Sequence, residues 1–271
     1  MTKDDLSPWH YELLLWLHSY RFATTKQLAT LRWKHHKNLA SATRQTQRHL
    51  QSLFNQKLVY QLDRRVGGWR QGSAQSVWTL TAKGARTIHV DDQIVKRSRP
   101  KVLSTTFLEH ALAVTELRVR LEQAVQEHEI KLCFMQTEPA AHRKYLDSNG
   151  STATLKPDGA CGISSKEHED FYFFEVDRAT ENPARVMKKC EQYEAYRATG
   201  LEQKELGVFP AVIWVVPHTK RRKQLRRYIA ADMKLTNELF SVITLDELPK
   251  LIQGGSEAFS VSDADLLKGA T

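Results

Sequence analysis

Three carboxylates in the second half of the chain have the types and spacing of a divalent-metal site. Asp158 follows a proline, and Glu175 and Asp177 stand two residues apart at the end of an apolar run. Because alternate residues of a strand project to the same face, Glu175 and Asp177 are expected on one face. Carboxylates beside Mg²⁺ or Mn²⁺ can activate water against a phosphodiester. We predict a metal at Asp158 and Glu175 with Asp177 assisting; the alternative is ordinary solvated or salt-bridged carboxylates.

Apolar periodicity places these carboxylates on an α/β domain. We predict the order αβββαβαβ over residues 107–128, 131–137, 152–163, 171–177, 183–199, 210–216, 221–232 and 242–245. That order resembles the core of PD-(D/E)XK nucleases, in which neighbouring strands bring carboxylates together around magnesium. Asp158 is then expected in the second strand, and Glu175 and Asp177 at the end of the third.

The chain departs from that nuclease pattern at one position. The resemblance implies a lysine two residues after Glu175, where this sequence has Asp177. In some members of that superfamily the lysine moves to the following helix, and this helix contains Lys188 and Lys189, with Gln192 one turn later. We therefore predict that these three residues complete the catalytic group. The alternative is a helix that only packs on the sheet.

Positive charge is concentrated in the N-terminal part of the chain. Residues 1–101 contain 18 lysines and arginines against 6 acidic residues, a net charge of +12, whereas residues 102–271 contain 22 against 25, a net charge of −3. A segment this positive attracts polyanions and releases their counterions on binding. Nucleic acid is thus the leading partner. A membrane surface is less favoured, because no long basic amphipathic helix is evident.

Three short helices are predicted within that basic segment, at 9–20, 26–32 and 41–56. In the third, Thr43, Thr46, Leu50, Leu53 and Phe54 share a core face at helical spacing. The opposite face has side chains that bind base edges or phosphates and no acidic residue. Its predicted DNA-binding residues are Ser41, Arg44, Gln45, Arg48 and Gln51. An ordinary solvated face is the alternative.

A basic hairpin is predicted after the third helix, with strands at 58–62 and 76–80. The arginines near its tip, Arg64, Arg65 and Arg70, stand beside glycines and can approach a phosphate backbone or minor groove. The "LTAKG" run at 80–84 resembles the closing strand of bacterial winged helix domains. The N-terminal part is therefore predicted to be a winged helix-turn-helix.

The predicted architecture is α+β with two domains. We expect a winged helix-turn-helix DNA-binding domain over 1–92, a basic linker over 93–104, a PD-(D/E)XK-like α/β domain over 105–252 and a flexible tail over 253–271. The three cysteines have no CxxC spacing, which argues against a zinc site or a disulfide framework. Without a signal pattern or a membrane-length apolar run, a cytoplasmic protein is expected.

The chain as a whole resembles the replication-relaxation family of plasmids and integrative elements. The matching runs are "FLEHALA" from Phe107, "LKPDG" from Leu155 and "FFEVDRATEN" from Phe173, with the helix that follows. The resemblance implies action on plasmid DNA in replication, relaxation or mobilisation.

Three functions remain open from the sequence. The first is a double-stranded DNA-binding protein whose second domain is inactive and serves to form a homodimer or to dock a relaxase or replication protein. The second is a Mg²⁺-dependent nuclease or nickase targeted by the winged helix. The third is a transcriptional repressor.

Overall fold

The computed structural model describes residues 6–32, 37–62, 76–88, 104–165, 169–180 and 182–262. The chain is α+β, as predicted. It divides into two compact units, Met1–Val119 and Arg120–Thr271, here the N-terminal and C-terminal units. The division falls within a long helix, later than the domain boundaries expected at 92 and 105. Residues 93–103 of the predicted linker lie outside the described residues.

The N-terminal unit combines helices with a small antiparallel sheet. Its helices are α1 (Pro8–Tyr20), α2 (Thr25–Arg32), α3 (Leu39–Asn55), α4 (Ala82–Thr87) and the first part of α5 (Thr105–Glu127). Its strands are β1 (Ala23–Thr24), β2 (Val59–Gln61) and β3 (Val77–Leu80), in the order β1-β3-β2. The predicted helices and hairpin strands are confirmed to within a few residues. The two-residue strand β1 was not predicted.

Helix α3 is positioned by one buried stripe. Asn38 caps its N-terminus by accepting a hydrogen bond from the backbone N–H of Ser41. The buried residues of the helix are Ala42, Thr46, Leu50 and Leu53. The prediction that Phe54 belongs to this core is wrong, because the residue is 39% exposed. Phe54 lies about 100° around the helix from Leu53, and its ring only reaches the edge of the Trp78 ring.

Buried hydrogen bonds fix α2 against its neighbours. The Thr25 hydroxyl accepts from the Trp78 indole N–H at 2.9 Å and donates to Gln47 of α3 at 3.0 Å. On the other side, the Gln27 amide donates to the carbonyl of Leu112 in α5 at 3.0 Å. Because buried polar groups cost free energy when unpaired, these contacts specify one arrangement of α2, α3 and the sheet.

The LTAKG run closes on the turn that ends α3. The Thr81 hydroxyl caps α4 by accepting from the backbone N–H of Gly84 and contacts the Leu58 carbonyl oxygen at 3.0 Å. Lys83 donates to the carbonyl of Gln56. A Cβ atom on Gly84 would lie 2.1 Å from the Leu58 carbonyl oxygen. The glycine is therefore needed for close approach between two backbone segments.

The C-terminal unit is built around a five-stranded mixed sheet in the order β10-β9-β8-β7-β4, in which β8, β9 and β10 are parallel and β4, β7 and β8 are antiparallel. The strands are β4 (Lys131–Thr137), β5 (Arg143–Leu146), β6 (Thr152–Leu155), β7 (Gly159–Ser164), β8 (Glu169–Val176), β9 (Ala211–Val216) and β10 (Phe240–Thr244). Its helices after α5 are α6 (Pro183–Arg197), α7 (Leu201–Leu206), α8 (Thr219–Ala231) and α9 (Leu248–Gly254). The β5–β6 pair is a separate hairpin. A buried core joins α6 and α8 to one sheet face.

Two details of the predicted domain are corrected. The strand expected over 152–163 is two strands, β6 and β7, which belong to different sheets. They separate at Pro157, which lacks the N–H that a sheet ladder needs, so Asp158 precedes β7 instead of lying within a strand. The tail expected from 253 also differs at its start, because Val261 is buried and Ser260 bridges to Ser241.

We expect Gly84→Ala to destabilise the N-terminal unit by about 1–3 kcal/mol, because the added methyl group meets backbone and cannot be accommodated by rotating a side chain. Urea unfolding followed by tryptophan fluorescence would measure this, since all tryptophans except Trp214 precede residue 120. Gly254→Ala is the control, because its methyl group would meet open space. Equal midpoints for the two variants would contradict the steric account.

Candidate functional site

The outer face of α3 is the first candidate site. Arg44, Gln45, Arg48 and Gln51 are all exposed there, and Ser41 at the first turn is half-buried. Gln51 donates to the side chain of Asn55, which extends the same polar face by one turn. The helix contains no acidic residue. The structure thus brings the five predicted residues of this helix to its solvent side.

The predicted arginines of the hairpin tip, Arg64, Arg65 and Arg70, lie outside the described residues. The two strands that lead to this segment are described and are paired in register, with Val59 opposite Leu80 and Gln61 opposite Trp78. The contribution of the tip to binding stays a prediction.

The second candidate site begins at Asp158, between β6 and β7. Its Oδ2 atom accepts a hydrogen bond from the backbone N–H of Val176 at 2.7 Å. That contact ties the residue to the end of β8, the strand that carries Glu175. The carboxylate is half-buried and contributes electrostatically at Glu175. The two predicted metal ligands are therefore neighbours.

Glu175 is buried between β8 and α6. Only 5% of the residue is exposed, and its Oε1 atom accepts a 2.6 Å hydrogen bond from the Tyr193 hydroxyl. The ammonium group of Lys189 lies 3.2 Å from the same oxygen. Lys189 also donates to the carbonyl of Lys156 at 2.7 Å, so it bridges α6 and the segment before Asp158.

Only one of the two predicted lysines reaches the carboxylates. Lys188 is exposed, and so is Gln192, the third residue predicted on this helix. The buried stripe of α6 contains Val186, Cys190 and Tyr193. At about 100° per residue, Lys189 falls beside that stripe and Lys188 falls away from it. Asp158, Glu175 and Lys189 are therefore brought together.

The environment of Glu175 disfavours its charged form. Burial, and to a lesser extent the neighbouring Asp158, raise the pKa of the carboxyl to about 8, although Lys189 and Tyr193 act in the opposite direction. Burial and the adjacent Glu175 also raise the pKa of the Tyr193 hydroxyl, which therefore stays a donor. A carboxyl with this pKa holds a proton at neutral pH unless a cation replaces it.

Asp177 has a different partner from Glu175. It follows the last residue of β8, and its Oδ2 atom lies 2.5 Å from Nε of Arg221 in the first turn of α8. Both side chains are almost fully buried. Its other oxygen accepts from the backbone N–H of Ala179. The residue that stands in place of the expected lysine is thus part of a buried ion pair.

A metal at this site would have two carboxylates as its protein ligands. Among the described residues, no three histidine, cysteine, aspartate or glutamate side chains are grouped so that they could hold a metal ion. Asp158 and Glu175 alone still fit Mg²⁺, which retains waters and is commonly bound by one or two carboxylates plus substrate phosphate. The predicted Mg²⁺ or Mn²⁺ stays a prediction.

Tyr193 is the site residue that sequence reasoning missed. The sequence pattern favours the neighbouring Gln192 and does not single out Tyr193. The signal that could have identified it is the spacing of four between Lys189 and Tyr193, which places both side chains on one face of α6. The three cysteines are free thiols.

Comparison with known proteins gives one match. A family model described as replication-relaxation matches residues 14–212, from α1 to β9, a range that includes the α3 face and the Asp158, Glu175 and Lys189 group. No curated protein and no solved structure matches the chain. Among the helices that the structure describes, none is both long and apolar enough to cross a bilayer.

We expect the stability of the C-terminal unit to depend on pH through Glu175. Because its pKa rises from 4.5 to about 8 on folding, the folded state binds this proton more tightly than the unfolded chain. Its stabilising contribution is complete below about pH 4.5 and is lost as pH rises through about 8. Each unit of pKa difference between the folded and unfolded states corresponds to about 1.4 kcal/mol in the free energy of unfolding. Glu175→Gln should remove this pH-dependent part, because glutamine does not titrate.

Amide hydrogen exchange of β8 and β9 between pH 5 and 8 measures this dependence, once corrected for intrinsic exchange rates. Glu169→Gln is the matched control, since Glu169 is exposed at the start of the same strand. A Glu175→Gln variant with the same pH dependence as wild type would show that burial of Glu175 does not perturb its titration.

Proposed function

Because this chain belongs to the replication-relaxation family, we propose that it is a double-stranded DNA-binding protein of a plasmid or mobile element that acts in replication, relaxation or mobilisation. The observation that carries the proposal is the exposed face of α3. Its arginine, glutamine and asparagine side chains are those that pair with base edges in a major groove.

The topology of the N-terminal unit supports this proposal. The order α1-β1-α2-α3-β2-β3, with an antiparallel sheet β1-β3-β2, is compatible with the proposed winged helix-turn-helix. In that fold the third helix enters the groove and the β2–β3 connection forms the wing. The buried contacts of Thr25 with Trp78 and Gln47 hold α3 with its polar face outward.

The charge distribution points to the same partner. The net charge of +12 over residues 1–101 supplies a sequence-independent attraction to phosphates. The α3 face adds groups able to distinguish bases. We propose that the C-terminal unit is a PD-(D/E)XK-like domain and that it docks a relaxase, a replication protein or a second copy of the chain.

Arg48→Ala should weaken binding to a duplex selected by the wild-type protein from a random library, by about 1–3 kcal/mol. The reason is that Arg48 lies at the centre of the exposed face, where it can form a bidentate contact with guanine. Gel shifts against the selected duplex and a scrambled one would separate specific from general binding. Arg86→Ala, which removes an exposed charge from α4, is the control. Equal losses in the two variants would refute the assignment of α3.

A second candidate function is metal-dependent DNA cleavage in the C-terminal unit. It is favoured by one observation, the 3.2 Å approach of Lys189 to Glu175 beside Asp158. Here Asp158 and Glu175 would hold the ion, which would supply an activated water at the phosphodiester. Lys189 would orient the attacked phosphate and stabilise the negative charge that develops on it. The Asp177–Arg221 pair argues against a further ligand from Asp177.

If this second function holds, the protein should nick supercoiled plasmid in Mn²⁺ or Mg²⁺. Lys189→Met should lower the nicking rate by about 100-fold or more, because it removes the cation closest to the carboxylates. Lys188→Met is the matched control, an exposed lysine one residue away. Equal rates for the two variants would contradict the role of Lys189. If the protein does not nick plasmid in any metal, the cleavage function is wrong and only the DNA-binding function remains.

A further inference from the structure

Helix α8 contains six cations within residues 220–227, and three of them hold the helix in place. Arg221 pairs with the buried Asp177, and Arg222 pairs with Glu247 near the end of β10. Arg226 donates to two backbone carbonyls in the segment after α9. These three arginines therefore have structural roles within the C-terminal unit.

The other three cations form one outward row. Lys220, Lys223 and Arg227 are exposed and are separated by three and four residues, so they lie on the same side of the helix. No acidic residue occurs anywhere in α8. We call these three residues the α8 stripe.

We propose that the α8 stripe is a second DNA-contacting surface, which binds the phosphate backbone of duplex DNA without reading its sequence. The inference rests on the proposed function, because it takes duplex DNA as the ligand. It does not follow from the family assignment, because α8 lies beyond the matched residues 14–212.

Charge complementarity identifies the partner. Residues 120–271 contain 21 lysines and arginines against 23 acidic residues, a net charge of −2, so an acid-free cationic row is a local exception within this unit. Lys220 also lies in the first turn of α8, where the positive end of the helix dipole makes a cation unfavourable. A bound polyanion would offset the repulsion among the three cations of the stripe. It would also supply negative charge to the N-terminus of the helix.

The dimensions of the stripe fit a nucleic-acid strand. At 1.5 Å per residue, Lys220 and Arg227 are separated by about 10 Å along the helix axis. Four successive phosphates of one DNA strand, separated by three steps of about 3.4 Å, rise by a comparable distance. Lysine and arginine heads on flexible stems can adjust to this spacing, which suits contact with phosphates rather than with bases.

The position of α8 links the stripe to the carboxylate site. Arg221 in its first turn binds Asp177, two residues after Glu175. A strand held along the stripe therefore lies on the unit that contains Asp158, Glu175 and Lys189. Cleavage at that site, the second candidate function, requires DNA to be held on this unit.

The test compares two triple variants of the full chain that have the same net charge. One is Lys220→Gln, Lys223→Gln and Arg227→Gln. The other substitutes glutamine for exposed lysines on three separate elements, Lys144 on β5, Lys204 on α7 and Lys250 on α9. Fluorescence anisotropy with a random-sequence 30-base-pair duplex, titrated over a range of salt, gives the affinity and its salt dependence.

The stripe variant should bind at least 10-fold more weakly at about 0.1 M salt, and its slope of log K against log salt should be less steep by about 2 to 3. The control variant should keep a slope close to that of wild type. Equal slopes in the two variants would overturn the proposal, because long-range charge alone would then explain any loss. Circular dichroism melting checks that both variants are folded.

Failure of this inference and failure of the proposed function are distinguishable. If Arg48→Ala loses preference for the selected duplex while the stripe variant keeps the wild-type slope, the stripe proposal is wrong and the α3 face stands. If the stripe variant loses affinity while Arg48→Ala keeps its preference, the α3 assignment is wrong and the stripe stands. A wild-type chain that binds no duplex overturns both.

Discussion

Burial of the Glu175 carboxylate is the constraint around which the C-terminal unit is arranged. An isolated buried carboxylate would be strongly unfavourable, so the surroundings supply a hydroxyl from Tyr193 and an ammonium from Lys189. Both donors come from α6, which fixes the rotation of that helix on the sheet. The Lys189 contact with the Lys156 carbonyl in turn holds the segment before Asp158. One carboxylate thereby positions a helix, a strand end and a second carboxylate.

The N-terminal unit depends on a close contact between two backbone segments. The approach of Gly84 to the Leu58 carbonyl lets the residues after β3 close over the end of α3. Together with the Thr25 hydrogen bonds at its other side, this determines which face of α3 is buried. The polar face is thus presented outward as a consequence of packing elsewhere in the unit.

Local patterns predicted most of the helices and sheet strands, because apolar periodicity reflects which side of each element is buried. They did not predict β5, in which only Tyr145 is buried and the flanking residues are polar or exposed. That strand is anchored by Arg143, whose partner Glu202 is 59 residues away in sequence. The choice between Lys188 and Lys189 was accessible in principle, since the phase of Val186, Cys190 and Tyr193 favours Lys189. The ion pair of Asp177 could not be predicted from the sequence, because its partner Arg221 belongs to a different element.

The cations of α8 show why composition alone could not locate the functional surfaces. The run from His218 to Arg227 contains six lysines and arginines and no acidic residue, yet folding divides these cations by helix phase and by available partners. Arginines at 221, 222 and 226 bind a carboxylate or carbonyls, which suits their several fixed donors. The cations at 220, 223 and 227 remain exposed. Because the net charge of the unit is slightly negative, its composition does not predict this row. The row arises because folding pairs the other cations of the helix and leaves these three exposed. A polyanion on this helix would therefore meet cations that the fold itself does not require.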